Sequence, residues 1–325
     1  MKMTNEKFRA LENRIQTTYG NTAGIAVVKN GDLVYEQYFG DCDADNFIHV
    51  FSVTKSVISA LIGIALDKGY ISSLDQKVLE FFPDYQVDQQ EKMIQEVTIR
   101  DLLTMTAPYK EKQNPYPEYF TSLDWVEFSL DMLGGNGKIG DFQYAPLIGP
   151  DILSGILEKV SGQTVLEFAR EQLFAPMDIS VAEAITFPSQ EEQMAFYDST
   201  TTSGWVAGPT GVNTAGWGLT LTTKDMAKIG QLYLAGGVWN QQQLVPKKWI
   251  EESTREHSCW KEMNLHYGYL WWVLGEGTFA ALGDGGNTIY VNPQKQLAVA
   301  ISALFVPEAE DRIELIKTEI EPLFD

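Results

Sequence analysis

A serine and a lysine separated by two residues mark the most chemically suggestive segment of this chain, Phe-Ser-Val-Thr-Lys at positions 51–55. Three positions is close to one helical turn, so Ser52 and Lys55 would project from the same helix face. A serine hydroxyl is a weak nucleophile and needs a neighbouring base. A lysine can be that base only where burial or neighbours bring its pKa down toward neutrality. The apolar run at 57–66 predicts a helix continuing to about Lys68, with Ser52 just ahead of it. Backbone N–H groups are unpaired there, and the helix dipole favours developing negative charge. The ordinary alternative is a helix N-cap at Ser52 with Lys55 in solvent. The same spacing recurs at Ser258 and Lys261, but in a charged stretch with no apolar helix after it, which reads as surface.

The elements that must position this pair are legible at both ends of the chain. An amphipathic N-terminal helix precedes two apolar, β-branched runs that flank Asn30-Gly31, a strong hairpin signal. Near the other end, LWWVLGEGTFAALG predicts a hairpin turning at Glu276-Gly277, and NTIYV and LAVAISALF predict two more strands around residues 293–295. Tight turns between about five strands imply an antiparallel sheet. The last segment, PEAEDRIELIKTEIEPLF, predicts a helix able to cover one sheet face. The middle carries short helices, one capped by Thr98, with loops rich in Pro, Gly, Asn and Tyr. The expected class is α+β: residues 1–75 and 215–325 as two halves of one sheet domain, residues 76–214 as a mostly helical insert, and a cleft between them.

Composition excludes several functions. The 325 residues are 44% hydrophobic and 12% aromatic, enough for a substantial core. A formal net charge of −20 repels phosphate backbones and anionic lipid, so no nucleic-acid or membrane partner is expected. Cys42 and Cys259 are too few for a disulfide scaffold, and two unpaired thiols are the expected state, although they could pair with each other. His49, His257 and His266 are scattered without metal-ligand spacing, so no metal site is expected. The polar N-terminus has no apolar signal-peptide core and the apolar run at 57–66 is too short to span a bilayer, so a cytoplasmic location is expected.

The stretches FSVTKSVISALIGIALDKGYISSLDQKVLEFFPDY, VTIRDLLTMTAPY, AGWGLTLTTKDMAKIGQLYLAGGVWNQQQLVPKKWIEEST, GYLWWV and GNTIYVNPQKQLAVAI resemble the serine beta-lactamase, penicillin-binding-protein and esterase superfamily. The similarity runs along nearly the whole chain in the expected order. It implies a beta-lactamase/transpeptidase-like fold and acyl transfer through Ser52 with Lys55 as base. The family's second motif, usually Tyr-x-Asn, corresponds to FQYAPLIG. By resemblance, Tyr144 would share proton transfer with Lys55 and protonate the leaving group, which calls for a phenol whose pKa an adjacent cation lowers. Pro146 replaces the motif's Asn. The third motif, Lys or His followed by Thr or Ser and Gly, aligns with Ala281-Leu282-Gly283, so its basic and hydroxyl side chains are missing. That loss disfavours beta-lactamase or carboxypeptidase activity and favours an esterase or amidase, as in the branch resembling 6-aminohexanoate-dimer hydrolases. The backbone role survives, with Ser52 and the Gly283, Asp284, Gly285 strand end as the candidates for the oxyanion hole.

The expected substrate is a small ester, amide or peptide-like molecule, with no cofactor. Tyr109, Tyr116, Tyr119 and Trp125 could line an acyl pocket, although core or lid packing is the commoner use of such residues. An α/β hydrolase is disfavoured because no G-x-S-x-G elbow occurs. A non-catalytic penicillin-binding or ligand-sensing protein that keeps the fold is the alternative from another class.

Overall fold

The computed structural model describes residues 2–325 apart from residues 88–90, Glu111, Gln113 and Pro146. Helix α1 (Lys2–Thr18) leads into a hairpin of β1 (Thr22–Lys29) and β2 (Asp32–Tyr38). Its turn places Asn30 at φ 53° and Gly31 at φ 89°, the left-handed pair that matches strand twist. The C-terminal third supplies β3 (Ser258–Trp260), β4 (Leu265–Tyr267), β5 (Trp272–Gly275), β6 (Thr278–Gly283), β7 (Asn287–Asn292) and β8 (Leu297–Ala303). They join one eight-stranded antiparallel sheet in the order β2-β1-β8-β7-β6-β5-β4-β3. The two ends of the chain meet where Ile25 pairs with Ile301 and Val27 with Val299.

The sheet is larger than the roughly five strands expected from sequence: the two hairpins and the two further runs expected there supply six of its eight strands. The addition is its far edge, where β3 and β4 hold three residues each. Segments this short carry no usable alternation of apolar and polar residues. Ser258, read as surface, is on β3 and its hydroxyl donates to the Thr104 carbonyl at 2.6 Å. Ser258 and Lys261 therefore share no helix face.

Both faces of the central strands are covered, which is why those strands read as continuous apolar runs. On one face Ile25, Val27, Tyr290, Val299 and Ile301 pack with Leu11 and Ile15 of α1 and with Leu315, Ile316 and Ile320 near the C-terminus. On the other, Ala26, Val28, Ile289, Val291, Ala298 and Ala300 join the larger core. Helix α4 (Thr223–Leu234) lies against β1, β7 and β8 on that side. Small residues let it approach closely: a Cβ on Gly230 would stand 3.1 Å from Ala298 Cβ and from Ile289 Cγ2.

Helix α2 (Val53–Asp67) sits between this sheet and the helices of the middle region, among them α3 (Pro150–Ser161). Every residue from Val53 to Ala65 is buried, as expected of a helix apolar all round. Its Gly63 faces the Trp249 ring so closely that a Cβ would fall 2.4 Å from a ring carbon. Gly63→Val is expected to lower stability by about 1–3 kcal/mol through overpacking, read as a lower midpoint in chaotrope unfolding. An unchanged midpoint would show that Trp249 can move away at no cost.

Candidate active site

Ser52 is the residue before the first turn of α2, but its side chain caps no backbone N–H. Its hydroxyl oxygen instead meets Lys55 Nζ at 2.7 Å. The simple N-cap alternative therefore does not describe this serine. Phe51, immediately before it, has φ 49°, a left-handed conformation that costs a bulky residue on the order of 1–3 kcal/mol. Its ring is held by neighbours: centroids lie 4.0 Å from His49, 5.8 Å from Tyr197 and 5.3 Å from Phe305. Packing thus fixes a sharp turn that presents Ser52 at the helix end.

Lys55 is 1% exposed, and its Nζ donates also to the Gly216 carbonyl at 2.8 Å. Loss of water dominates its electrostatics and lowers its pKa from 10.5 to about 7, against the opposing pull of the Asp284 and Asp151 carboxylates. A change of that size means that the charged form is disfavoured by roughly 5 kcal/mol relative to an exposed lysine. The sequence requirement for a lysine base is met by burial.

The loop that carries Gly216 is held from two sides by buried polar groups. Asp151, in the first turn of α3, accepts from the Ala215 N–H at 2.8 Å and from the Tyr119 hydroxyl. Desolvation raises the Asp151 pKa to about 6, while the bonds from Tyr119, Ala215 and Gly216 pull it down. His49 Nε2 accepts from the Gly218 N–H at 3.0 Å. Burial lowers the His49 pKa to about 3, so the ring stays neutral and serves as a fixed acceptor. Neither Asp151 nor His49 stood out in the sequence as part of the site. An acid in a helical first turn is the commonest of signals, and nothing local says that this one reaches the 215–218 loop.

Tyr144 is brought to the same place, with Lys55 Nζ 5.4 Å from its ring centre. Trp272, Tyr267 and Trp260 wall the ring, at centroid distances of 5.5, 6.3 and 6.5 Å. The expectation of an acidic phenol is corrected here. Burial raises the Tyr144 pKa to about 12, only partly offset by its hydrogen bond with Ser52, and the Asp284 carboxylate adds to the rise. The reason is that the nearby amine is itself desolvated toward its neutral form and lies over the ring. Pro146, expected in place of the motif's Asn, lies outside the described residues.

The end of β6 closes the other side. A Cβ on Gly283 would stand 3.2 Å from the Ser52 backbone N and 2.3 Å from the Val50 carbonyl, so only glycine lets this strand reach the serine. Asp284 and Gly285 follow in a tight turn with Gly285 at φ 75°. Asn21 Nδ2 donates to the Gly285 carbonyl at 2.7 Å, and Asn21 Oδ1 accepts from Arg312 Nη2 at 2.6 Å, which braces the turn from behind. Asp284 itself is exposed.

Of the four aromatics weighed for an acyl pocket, Tyr109, Tyr119 and Trp125 are core residues. Tyr109 and Tyr116, with Tyr144, Ile148, Lys110 and Lys112, edge a cavity of about 600 Å³ beside the site. Cys42 and Cys259 are both free thiols. Among the described residues there is no cluster of His, Cys, Asp and Glu fit for a metal ion, and no helix long and apolar enough to cross a membrane.

Comparison with known proteins shows what the chain is similar to. A family model described as Beta-lactamase matches residues 9–319. A 6-aminohexanoate-dimer hydrolase from Paenarthrobacter ureafaciens is 25% identical, over 87% of this chain and 72% of its own. A penicillin-binding-protein homologue from Caulobacter crescentus has the same fold at 17% identity and a TM-score of 0.69, covering 93% of this chain and 91% of the other. EstCE1, a hydrolase with promiscuous acyltransferase activity, superposes over 100% of both chains with a TM-score of 0.74 at 14% identity.

The buried Asp151 gives a test of the loop's support. Tyr119→Phe removes a donor that favours the ionised carboxylate, at an expected cost of about 1–3 kcal/mol. Because that carboxylate ionises near pH 6 in the folded protein, the loss should be larger at pH 8 than at pH 5 in paired unfolding curves. An equal loss at both pH values would mean that the hydroxyl does not hold the charged form.

Proposed function

The chain belongs to the beta-lactamase family and is a serine hydrolase, and on that premise we propose that Ser52, Lys55 and Tyr144 carry out acyl transfer from a small ester or amide. The observation that carries the assignment is the 2.7 Å contact between Ser52 Oγ and an amine whose pKa burial brings to about 7. A protein that only bound ligands would gain nothing from burying that amine beside a serine.

In this reading the neutral Lys55 amine takes the Ser52 proton as Oγ attacks the carbonyl carbon. The oxyanion is stabilised by the Ser52 N–H and an N–H of Asp284 or Gly285, each such donor contributing about 3–4 kcal/mol. Tyr144, protonated at all ordinary pH values, gives its proton to the departing alcohol or amine and is recharged from the Lys55 ammonium. Water then adds to the acyl-enzyme, passing a proton to Lys55 and on to Ser52 as the ester bond breaks. The division into a sheet domain of residues 1–75 and 215–325 and a helical insert of residues 76–214 is part of the same proposal. Ser52 and Gly283 come from the first and Tyr144 from the second, which puts the reaction in the cleft between them.

Intact-mass measurement after fluorophosphonate treatment should show one adduct on the wild type and none on Ser52→Ala; an adduct on Ser52→Ala would sink the assignment. Lys55→Ala should lose about 10²–10⁴-fold in kcat/KM, and Lys55→Arg should not restore it because a guanidinium does not deprotonate. The kcat/KM of a para-nitrophenyl ester should rise through about pH 7 as Lys55 loses its proton. A profile flat from pH 5 to 9 would remove Lys55 from the role of base.

A further inference from the structure

Asn287 opens β7 directly across the ladder from Gly283, the glycine that lets β6 reach the nucleophile. Its side chain is fully buried and held by four hydrogen bonds. Oδ1 accepts from the Ala303 N–H at 3.0 Å. Nδ2 donates to the carbonyls of Asp284 at 2.9 Å, Ala303 at 3.0 Å and His49 at 3.4 Å. One N–H faces Oδ1 and three carbonyls face Nδ2, so the amide fits in one orientation only. Two amide protons serve three acceptors, and the His49 contact, being longest, is the weakest of them.

Two of those carbonyls belong to the two sides of the oxyanion hole. His49 lies just ahead of Phe51 and Ser52, and its ring holds the Gly218 N–H of the loop that meets Lys55. Asp284 carries one candidate donor, its own N–H, and its carbonyl shares a peptide with the other, the Gly285 N–H. A trans peptide points its C=O and N–H to opposite sides, so holding the Asp284 carbonyl also sets the direction of the Gly285 N–H. Among the described hydrogen bonds, Asn287 has the one side chain that reaches both this turn and the segment leading to Ser52. The two sides are far apart in sequence, 238 positions at the Asn287–His49 contact. An oxyanion hole works only with donors about 2.7–3.1 Å from the developing charge, so something must fix one side against the other. A buried amide with all its groups satisfied is a rigid link of that kind.

We infer that Asn287 is a positioning residue for the reaction, its amide setting the spacing between the Ser52 N–H and the N–H groups of Asp284 and Gly285 that receive the oxyanion. The inference rests on Ser52 being the nucleophile.

The test reads the hole through the fluorophosphonate adduct of Ser52, whose phosphoryl oxygen takes the place of the oxyanion. In a crystal structure of the wild-type adduct, that oxygen should accept from the Ser52 N–H and from the N–H of Asp284 or Gly285. Asn287 Nδ2 should still meet the Asp284 carbonyl there. Asn287→Ala should lose about 10²-fold in kcat on para-nitrophenyl butyrate, counted per titratable serine, while KM changes less than about threefold. The phosphorus resonance of its adduct should move toward the position seen in unfolded protein. A merely structural role would lower the number of titratable serines and leave kcat per serine and the resonance where they are. A kcat per serine within about threefold of wild type, with an unmoved resonance, would overturn the inference alone. So would a wild-type adduct whose phosphoryl oxygen points away from the 284–285 turn, a result that stands even where Asn287→Ala does not fold. A wild type that takes up no phosphonate, or takes it at another residue, would overturn the Ser52 assignment and this inference with it.

Discussion

The burial of one amine is the constraint on which the rest of this structure depends. Lys55 is buried, and that burial disfavours its charged form by roughly 5 kcal/mol relative to an exposed lysine. Two carboxylates, Asp284 and Asp151, oppose the shift without cancelling it. An ammonium in the same place would need a close counter-ion, and neither acid makes a salt bridge with Lys55 in the described structure. What the fold supplies instead is a pair of oxygen partners, Ser52 Oγ and the Gly216 carbonyl. The dry position is created by α2 being enclosed between the sheet and the helices of the middle region.

Precision at the site comes from backbone held by buried side chains. Asp151 and His49, about a hundred positions apart, fix the Ala215 and Gly218 N–H groups of one loop, and the Gly216 carbonyl between them locates the amine. Asn21 and Arg312, from near the two termini, brace the turn that follows Gly283. Each is a polar group wholly or partly removed from water with a defined partner, so each fixes position at a cost that only a correct geometry recovers. The same economy explains the glycines. Gly283 and Gly230 allow backbone and helix to approach where any Cβ would hold them apart.

The hairpins and the central strands were readable because their signals are local. Asn30-Gly31 and Glu276-Gly277 demand left-handed backbone, and runs such as LAVAISA can be buried on both sides only in the middle of a sheet. The edge strands β3 and β4 were not, since three residues carry no period and their pairing depends on β5 being present. Ser52 and Lys55 could be chosen over Ser258 and Lys261 because an apolar helix follows the first pair and not the second.

The sequence by itself marked the Ser52–Lys55 pair, because the serine–lysine spacing and the helix behind it are properties of one short segment. It also carried the loss of the third motif's cation, which is read directly from Ala281-Leu282-Gly283. Only the tertiary structure decided how those atoms are tuned. Sequence reasoning asked for an acidic phenol at Tyr144, and folding made it a weak acid, because desolvation acts on the tyrosine and on the lysine together. Asp151 became part of the site through a contact spanning 64 positions, from α3 to Ala215. Ionisation depends on the dielectric and the charges around a group, and those are set by chain segments far apart in sequence.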